Sequence, residues 1–520
     1  MSQTPERPKA GHTAAAALLV TASTYVTFGF GLLINAITAH QIGPEDFGRY
    51  SFYVALVGAL SSLGNHGLSV SGIRFVSENL GRNDKSMAQR IHGWLERRQQ
   101  ISILLVIAGF LLCLPWLMPH GWAQTSMLFA ILVIPSLVGK AMYLFNISIG
   151  KGYRQFRIEA YTNVLVSLFT MVCVCSLYFI GGTLVSYLCL FIVSSLAYWI
   201  ITAIMLRRSD IVPARGEIDG QTLARVRTHL AWTILLVVTG LVGNRSVETY
   251  LLNDAAGPAQ VGFFSIALAF SRGGVELLSS GLSSVLMPSM AHAFGSAGNA
   301  SVGVLLRRST RYFHFMGLLL AGAGFCLSEP AIMLMYGTRF ADAIPVLRAL
   351  LVISGLTLCE GTFGAVLSIT DNQRWRASFA AFSMLVNIVA AIALVPRYGL
   401  DGAVMTIAIA RISVLIASAF AVKRIMSFKL PSRQVFLMTL CAAIAAIPAT
   451  ALIYFLPPIW GGLVAAPVFV LVLVGGTATL RLWESTDVRL LLSLIDRLPS
   501  SMRLIRPIIA QWEKKLGQPD

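Results

Sequence analysis

GPEDFGRYS, at residues 43–51, recurs as GPAQVGFFS at residues 257–265, 214 positions further along the chain. Both segments belong to a longer alignment, in which residues 43–81 match residues 257–295 without a gap. Ten of the 39 aligned positions are identical, and 13 of the others exchange one apolar residue for another, with glycine counted as apolar. A repeat of this length in a very apolar chain indicates a membrane protein built from two related halves, as many transporters are.

The composition is that of a membrane protein. The mean hydropathy is +0.73, and only 12% of the 520 residues are charged, whereas a soluble domain carries about 25%. Charged residues separate apolar runs of about 20 residues, the length that crosses a bilayer as a helix. The predicted fold is therefore all-α and integral to the membrane, with about fourteen transmembrane helices at 14–39, 48–73, 99–118, 125–149, 159–180, 183–206, 230–252, 260–288, 312–328, 345–369, 378–396, 401–422, 434–456 and 460–481.

The distribution of positive charge supports this division of the chain. Of the 40 Lys and Arg residues, 32 fall in segments that are cytoplasmic if the N-terminus lies inside, three fall outside and five fall within spans. Because Lys and Arg favour cytoplasmic loops, we expect an even number of spans with both termini in the cytoplasm. This asymmetry also accounts for the net charge of +17, which therefore indicates contact with anionic lipid headgroups and not nucleic-acid binding.

The repeat unit contains six spans, because the pattern of the second span returns in the eighth. An even number of spans gives both copies the same orientation, so we expect a pseudo-twofold axis along the membrane normal to relate two parallel repeats. The predicted organisation is a six-helix bundle at 1–206, a cytoplasmic linker at 207–229, a second six-helix bundle at 230–425, two extra transmembrane helices at 434–481 and a cytoplasmic amphipathic tail at 482–520.

No pattern of residues indicates an enzyme. The seven cysteines all fall within predicted spans, so neither a disulfide framework nor a metal site is expected. The chain has no phosphate-binding loop of the Walker type and no nucleophile motif. We therefore expect no cofactor, and any uphill transport must use a proton or sodium gradient, downstream polymerisation or a partner protein.

Loose motifs rich in glycine and aromatic residues occur through most of residues 14–425. They are Gly43–Ser51, Gly67-Leu68, Arg74-Phe75, Tyr336-Gly337 with Phe340 and Pro345, and Tyr398-Gly399-Leu400-Asp401-Gly402-Ala403. In these motifs the chain resembles the polysaccharide transporter family, the Wzx-type flippases of the multidrug/oligosaccharidyl-lipid/polysaccharide exporter superfamily.

The resemblance implies two six-helix bundles that form a V around a central cavity. It implies a multi-pass protein of the bacterial inner membrane that moves an undecaprenyl-pyrophosphate-linked oligosaccharide, the repeat unit of O-antigen or exopolysaccharide, by alternating access. The implied partners are this lipid-linked substrate, membrane lipids, and polysaccharide polymerase or export machinery. Fourteen spans is the number in the lipid II flippase branch, whose last two helices help to form a groove for the lipid tail.

Two pairs of opposite charges lie within predicted spans, where each ionised side chain costs about 2.5–3.5 kcal/mol on insertion scales. Arg245 and Glu248 are three residues apart, and Arg272 and Glu276 are four apart, so each pair shares a helical face. The equivalent positions in the first copy are the uncharged residues Gly31, Ile34, Gly58 and Ser62. The fold itself therefore does not require these charges, and we interpret them as a site for an anionic pyrophosphate-sugar, with a glutamate that exchanges a proton. The alternative is an ion pair that supports helix packing.

Further candidates for substrate or ion contact are isolated polar residues. They are His66 in the second span, Lys140 in the fourth, Glu360 in the tenth, Arg411 in the twelfth, and Arg74 at a cytoplasmic helix end. A hydrogen-bonded packing histidine explains His66 equally well. For Arg74 the favoured interpretation is an anchor at the cytoplasmic end of its helix, and the alternative is contact with a pyrophosphate that enters from that side.

Two other functions remain open at this point, and the sequence argues strongly against a third, a membrane-embedded polymerase or ligase. The chain could be a lipid II flippase, or a multidrug or cation antiporter, although such exporters usually have twelve spans and an acidic pocket. A polysaccharide polymerase or ligase usually carries a large external loop, whereas the longest outer connection here, at about 328–344, has fewer than 20 residues.

Overall fold

The computed structural model describes residues 10–118, 122, 125–241, 247–369, 373–426 and 430–483. Within these ranges the chain forms helices joined by turns and short connections, without a β-strand. The α-helices are α1 Ala10–Asn65, α2 Leu68–Gly81, α3 Lys85–Leu117, α4 Ser126–Gly152, α5 Arg157–Ile180, α6 Leu184–Arg208, α7 Gly220–Leu241, α8 Val247–Ala256, α9 Pro258–Met335, α10 Ala343–Leu356, α11 Glu360–Ile369, α12 Gln373–Met426, α13 Ser432–Phe455 and α14 Pro458–Thr479. The predicted all-helical class is confirmed. The predicted tail at 482–520 lies almost entirely outside the described residues.

Nine helices in the described part are long and apolar enough to cross a membrane, or ten if α10 and α11, bent by 42°, form one span. Two of these helices, α1 and α12, are long enough to cross the membrane twice. A straight helix of 56 residues would be about 84 Å long, and α1 and α12 each change direction at a glycine with positive φ, Gly43 (77°) and Gly399 (53°). Each of them therefore contains two predicted spans. The predicted spans 230–252 and 260–288 fall on α7 to α8 and on the first part of α9.

The sequence repeat has the same backbone conformation in both copies. Gly43 has φ 77° and ψ 174°, and Gly257 has φ 86° and ψ 173°. Only glycine adopts this region without steric cost. Each glycine precedes a proline, Pro44 or Pro258, whose fixed φ suits the first turn of a helix. The GP dipeptide that opens each repeat is therefore a turn between two membrane helices.

The two copies also pack against each other reciprocally. A Cβ atom at Gly48 would lie 1.7 Å from the carbonyl oxygen of Pro258, and one at Gly262 would lie 3.0 Å from the carbonyl oxygen of Pro44. Gly48 and Gly262 are equivalent in the repeat, as are Pro44 and Pro258. We call these four residues the glycine seam. Its reciprocal contacts are those that a pseudo-twofold relation between the copies produces.

By contact density the chain divides into two compact units. The first comprises Met1–Leu277, Ala331–Leu350 and Asn372–Ala417, and the second comprises Leu278–Pro330, Leu351–Asp371 and Ser418–Asp520. Two cores lie in the first unit, one around Tyr53, Phe129 and Leu188 and one around Phe75, Leu95 and Phe145. The predicted bundles at 1–206 and 230–425 stay a prediction, because the division into compact units follows contact density and not the repeat.

The second unit packs α13 and α14 against the middle of α9. Its core contains Phe315, Cys441 and Phe469, and a Cβ atom at Gly322 would lie 1.9 Å from the Phe469 ring. His314 Nε2 and Thr439 Oγ1 are 2.9 Å apart, which adds a polar contact between α9 and α13. The two extra helices are therefore held by small residues that allow close approach and by an interhelical hydrogen bond.

The first part of the predicted linker is extended and follows α3. The Ala214 N–H donates to the Gln89 carbonyl at 3.0 Å, and Arg90 Nη1 donates to the Glu217 carbonyl at 3.2 Å. A Cβ atom at Gly93 would lie 2.3 Å from the Ala214 oxygen, so the close approach needs glycine. The linker then becomes helical as α7, which begins at Gly220.

Candidate functional site

A cavity of about 890 Å³ lies within the first compact unit. Residues of both repeat copies line it, from α1, α4, α5, α6, α8 and α9. Most of its polar groups are neutral hydroxyls and one amide, contributed by Thr27, Asn35, Tyr50, Ser51, Ser62, Ser167, Thr170, Tyr187, Ser194, Tyr198, Thr249, Ser265 and Tyr336. Among the lining residues that the structure describes, the charged side chains are Lys140 and Arg272, and none is acidic.

Lys140 reaches the cavity from α4 and is flanked by two aromatic rings. Its Nζ lies 6.0 Å from the centroid of the Tyr143 ring and 5.7 Å from that of Tyr198. Both distances are within the range of a cation–π interaction. The preceding Gly139 brings α4 against α6, because a Cβ atom there would lie 2.7 Å from the Ser195 backbone. The close helix contact at Gly139 therefore places the ammonium group beside Tyr198.

Hydrogen bonds to α5 hold both aromatic rings in place. The Tyr143 hydroxyl donates to Asn163 Oδ1 at 2.5 Å, and the Tyr198 hydroxyl lies 3.3 Å from Ser167 Oγ. The two rings also contact each other, with centroids 4.7 Å apart. Lys140 thus sits in an ordered frame, so its charge has a defined position at the cavity wall.

Arg272 reaches the cavity from α9 and has an exposed side chain. The next residue, Gly273, lies so close to α1 that a Cβ atom would overlap the Phe28 ring at 1.8 Å. The four uncharged positions that the repeat equates with the charged pairs all line the same cavity, namely Gly31, Ile34, Gly58 and Ser62. In the first copy all four positions therefore border the cavity, and in the second copy Arg272 borders it.

Glu248 lies behind this wall and not in it. Its side chain is fully buried in α8, and its Oε1 accepts a hydrogen bond of 2.7 Å from Asn387 Nδ2 on α12. Asn387 is 3% exposed. The carboxylate also interacts electrostatically with Arg272. The structure thus joins Glu248 to the cavity cation, although the sequence paired Arg272 with Glu276.

The other predicted residues lie elsewhere. Glu276 is exposed on α9 and is not among the residues that line the cavity, and Arg245 lies outside the described residues. The half-buried His66 has its Nδ1 2.7 Å from Ser102 Oγ on α3. Glu360 begins α11 in the second unit, and Arg411 is half-buried in α12. Arg74 is exposed on α2, with its guanidinium 5.3 Å from the Phe75 ring centroid.

The sequence interpretation missed the tyrosines of the cavity and Asn387. Tyr50, Tyr187, Tyr198 and Tyr336 line the cavity wall, but aromatic residues near span ends are usually read as membrane-interface anchors. Asn387 was a better candidate, because it is a polar residue inside the apolar span 378–396, where such residues form interhelical hydrogen bonds. Its partner, by contrast, is 139 positions away.

A family model described as polysaccharide biosynthesis protein matches residues 14–294 of this chain, more than half of its length. A search of curated proteins finds no match.

Solved transporter structures share the fold at low sequence identity. A lipid II flippase, MurJ, in an inward closed conformation has a TM-score of 0.72 at 14% identity, covering 89% of this chain and 98% of that chain. An inward-facing multidrug resistance MATE family transporter has a TM-score of 0.63 at 16% identity, covering 77% and 94%. A transporter of the MOP superfamily from Pyrococcus furiosus, described by the reverse polarity of its binding pocket, has a TM-score of 0.54 at 14% identity, covering 79% and 94%. The chain therefore has the helical membrane fold of these transporters.

Proposed function

The chain belongs to the polysaccharide biosynthesis protein family, and from this premise we propose that it is a flippase for a lipid-linked oligosaccharide. The proposed cargo is an undecaprenyl-pyrophosphate-linked repeat unit of O-antigen or exopolysaccharide. The proposed site of action is the bacterial inner membrane, with both termini in the cytoplasm and with polymerase or export machinery downstream. Transport proceeds by alternating access, and the chain itself performs no enzymatic step.

The observation that carries this proposal is the polarity of the cavity. Lys140 and Arg272 supply positive charge, and the described lining contains hydroxyl and amide groups but no carboxylate. Arginine binds phosphate oxygens through a planar fork, and lysine binds them as a point charge. Hydroxyls and tyrosine rings suit the sugar part of the ligand. A volume of about 890 Å³ is within the range of pockets that enclose a ligand, which is about 300–1,000 Å³.

The test is transport by variants that remove the two cavity charges. We expect Lys140→Gln and Arg272→Gln each to lower the initial rate at which proteoliposomes flip a fluorescent lipid-diphosphate oligosaccharide by about tenfold or more, because a hydrogen bond to a charged group contributes about 1.5–3 kcal/mol. Arg97→Gln is the matched control, since Arg97 is exposed on α3 and does not line the cavity. Wild-type flipping by the Lys140→Gln/Arg272→Gln double variant would remove the cavity from the mechanism.

We assign coupling to Glu248, with a proton or a sodium ion as the driving ion. Glu248 is buried, accepts from Asn387 and interacts electrostatically with Arg272. Neutralising the carboxylate would therefore change the charge balance around the cavity arginine. We expect Glu248→Gln to flip the lipid at a rate that no longer responds to an imposed proton or sodium gradient. A response equal to that of the wild type in both gradients contradicts this assignment.

A lipid II flippase is the second candidate, favoured by the similarity to MurJ over 98% of that chain and by the two extra helices α13 and α14. Complementation separates the two cargoes. The oligosaccharide proposal predicts that the chain restores surface polysaccharide to a cell lacking its own flippase and does not support growth of a cell depleted of its lipid II flippase. The reverse outcome assigns lipid II as the cargo.

A multidrug antiporter shares the fold but fits the cavity less well. Amphipathic drug cations would meet Lys140 and Arg272, both positively charged. We therefore expect no change in sensitivity to cationic drugs when the chain is expressed in a strain that lacks its exporters.

A further inference from the structure

A second group of arginines lies at the contact between α2 and α7. On α2, Ser71, Phe75 and Glu78 recur at a helical spacing on one face, and on α7 the residues Arg225, His229 and Thr233 recur every four positions. Ser71 Oγ lies 3.1 Å from His229 Nδ1, and the Phe75 and His229 rings meet edge to face at 5.4 Å. These contacts fix α7, the start of the second half, on α2 of the first half.

The helices α2 and α7 pack closely at this contact. Gly67, which precedes α2, has φ 85°, and a Cβ atom there would lie 2.5 Å from Thr233 Cγ2. The Thr233 hydroxyl donates to the His229 carbonyl at 2.7 Å. Phe75 is 1% exposed. The side chains that project from the α2–α7 contact into solvent are therefore attached to well-ordered backbone.

Two guanidinium groups lie close to the ring of Phe75 at the α2–α7 contact. The Cζ of Arg74 lies 5.3 Å from the Phe75 ring centroid, and the Cζ of Arg225 lies 5.8 Å from it. The two cationic carbons are therefore within about 11 Å of each other. Both side chains are exposed. Burial and the nearby charge of Arg74 lower the pKa of His229, which lies one residue before the predicted span 230–252.

The local charge is not balanced. Glu78 pairs with Arg82 at 2.7 Å and with Arg225 at 3.0 Å, so one carboxylate serves two arginines. Within the described residues, Arg74 has no carboxylate at ion-pair distance, and its guanidinium lies 5.3 Å from the centroid of the Phe75 ring. Three arginines with one carboxylate leave an excess of positive charge that a divalent anion would neutralise.

We propose that Arg74 and Arg225 form a second anion site, separate from the cavity, which binds the diphosphate of the lipid-linked substrate at the cytoplasmic end of α2. This inference rests on the proposed function for the source of the diphosphate. The chemistry is that of paired guanidinium forks on phosphate oxygens, with the ring of Phe75 limiting the freedom of both side chains. The site lies in a segment that the distribution of positive charge assigns to the cytoplasm, where the substrate is made available. The alternative is that Arg74 and Arg225 anchor their helices in the headgroup region of the bilayer. That role needs positive charge but no specific anion, and the experiment distinguishes the two.

The experiment measures anion binding to the purified full-length chain in phosphatidylcholine nanodiscs by calorimetry. The probes are inorganic pyrophosphate, undecaprenyl diphosphate and phosphatidylglycerol. The variants are Arg74→Gln, Arg225→Gln, their double variant, Arg74→Lys, and the exposed α3 control Arg97→Gln. The cavity variant Lys140→Gln/Arg272→Gln is measured alone and combined with the α2–α7 double variant. Unchanged thermal unfolding verifies that each variant is folded.

We expect the α2–α7 double variant to weaken binding of pyrophosphate and of undecaprenyl diphosphate about tenfold or more, the loss of at least one hydrogen bond between charged groups. The same loss should persist when the cavity charges are already removed, and Arg74→Lys should retain part of the affinity. Arg97→Gln should bind as the wild type does. Equal binding by the α2–α7 double variant and Arg97→Gln overturns the proposal, as does an effect confined to phosphatidylglycerol, which indicates general attraction to an anionic bilayer. Pyrophosphate binding that depends on Arg74 and Arg225, in a chain that flips no lipid-linked oligosaccharide, refutes the proposed function and leaves the anion site standing.

Discussion

Lys140 illustrates how a charged side chain is accommodated inside a membrane span. Its insertion costs about 2.5–3.5 kcal/mol at the centre of a helix, and each aromatic ring face returns about 0.5–2 kcal/mol. Tyr143 and Tyr198 provide two such faces. Among the described residues no carboxylate forms an ion pair with Lys140, so its charge remains available to an anionic ligand.

This arrangement predicts that the ring of Tyr198, and not its hydroxyl, holds Lys140. Tyr198→Phe keeps the ring and should flip the lipid-linked substrate within about twofold of the wild-type rate. Tyr198→Leu removes a cation–π partner and should lower the rate about three- to tenfold, equivalent to about 0.7–1.4 kcal/mol. The measurement is the initial flipping rate in proteoliposomes. Equal rates for the Phe and Leu variants would show that the ring is not needed.

The buried contact between Glu248 and Asn387 makes a prediction about stability. Asn387→Ala leaves Oε1 of Glu248 without its donor inside the protein, which costs about 1–3 kcal/mol. We expect a clear decrease in the thermal unfolding temperature in detergent. Asn387→Ala combined with Glu248→Leu removes both partners and should recover part of that loss. A lack of recovery would mean that the hydrogen bond is not the source of the effect.

The candidate charged residues could be identified from the sequence, but their interaction partners could not. The cost of a charge in a span is enough to make Lys140, Glu248 and Arg272 candidates from the sequence alone. Spacing along one helix then pairs Arg272 with Glu276, because residues four apart are neighbours. In the structure Arg272 interacts electrostatically with Glu248 on another helix, a pairing that no spacing rule predicts.

At the scale of helices, the glycine seam is the clearest product of the repeat. The GP turn could be recognised from the sequence because both copies carry it, and both copies have the same φ and ψ at the glycine. The reciprocal approach of Gly48 to Pro258 and of Gly262 to Pro44 could not be read from the sequence. It depends on how the two copies dock, and the sequence shows only that both have a small residue at that position.

Substitutions of glycine test the seam against helix propensity. Gly48→Ala places a methyl group 1.7 Å from the Pro258 oxygen, so the helices must separate and the unfolding temperature should fall. Gly29→Ala on the same helix α1 meets nothing within 4 Å and should stabilise by about 0.5–1 kcal/mol, because alanine is the better helix former. Circular dichroism during heating measures both. The seam is not a tight contact if Gly48→Ala is as stable as Gly29→Ala.

The breaks in the helices were only partly predictable. Gly43 and Gly399 interrupt α1 and α12 where the sequence separates two spans. By contrast, α9 runs as one helix from Pro258 to Met335, whereas the equivalent region of the first copy breaks between Asn65 and Leu68. The repeated Gly67 and Gly281 therefore mark a break in one copy only, because glycine permits a break and tertiary packing decides whether one forms.

For the whole molecule, the positive-inside distribution predicts the topology. Ser86, in the first turn of α3, should lie in the cytoplasm, and Thr183, before α6, should lie outside. In a chain whose seven native cysteines are replaced, Ser86→Cys should react with an impermeant maleimide only after the membrane is opened. Thr183→Cys should react in intact spheroplasts. Both residues are exposed, so opposite labelling would invert the predicted orientation.

Charge counts described the topology of the chain but not the burial of its residues. Arg311 belongs to a segment that the sequence assigns to the cytoplasm, yet its side chain is 2% exposed within α9. A cation near a helix end can reach the headgroups or be enclosed by neighbouring helices, and both outcomes satisfy the same charge distribution. Only the packing of the second unit decides between them.

The all-helical membrane class, the internal repeat and the turns that open each copy could be read from the chain without its structure. These follow from hydropathy, period and glycine, which act locally along the chain. The tertiary structure alone decided that Lys140 and Arg272 share one cavity, that Glu248 joins Asn387, and that Arg74 and Arg225 meet at Phe75. Each of these contacts joins residues far apart in the chain, and the close packing that creates them depends on side-chain shapes from several helices at once.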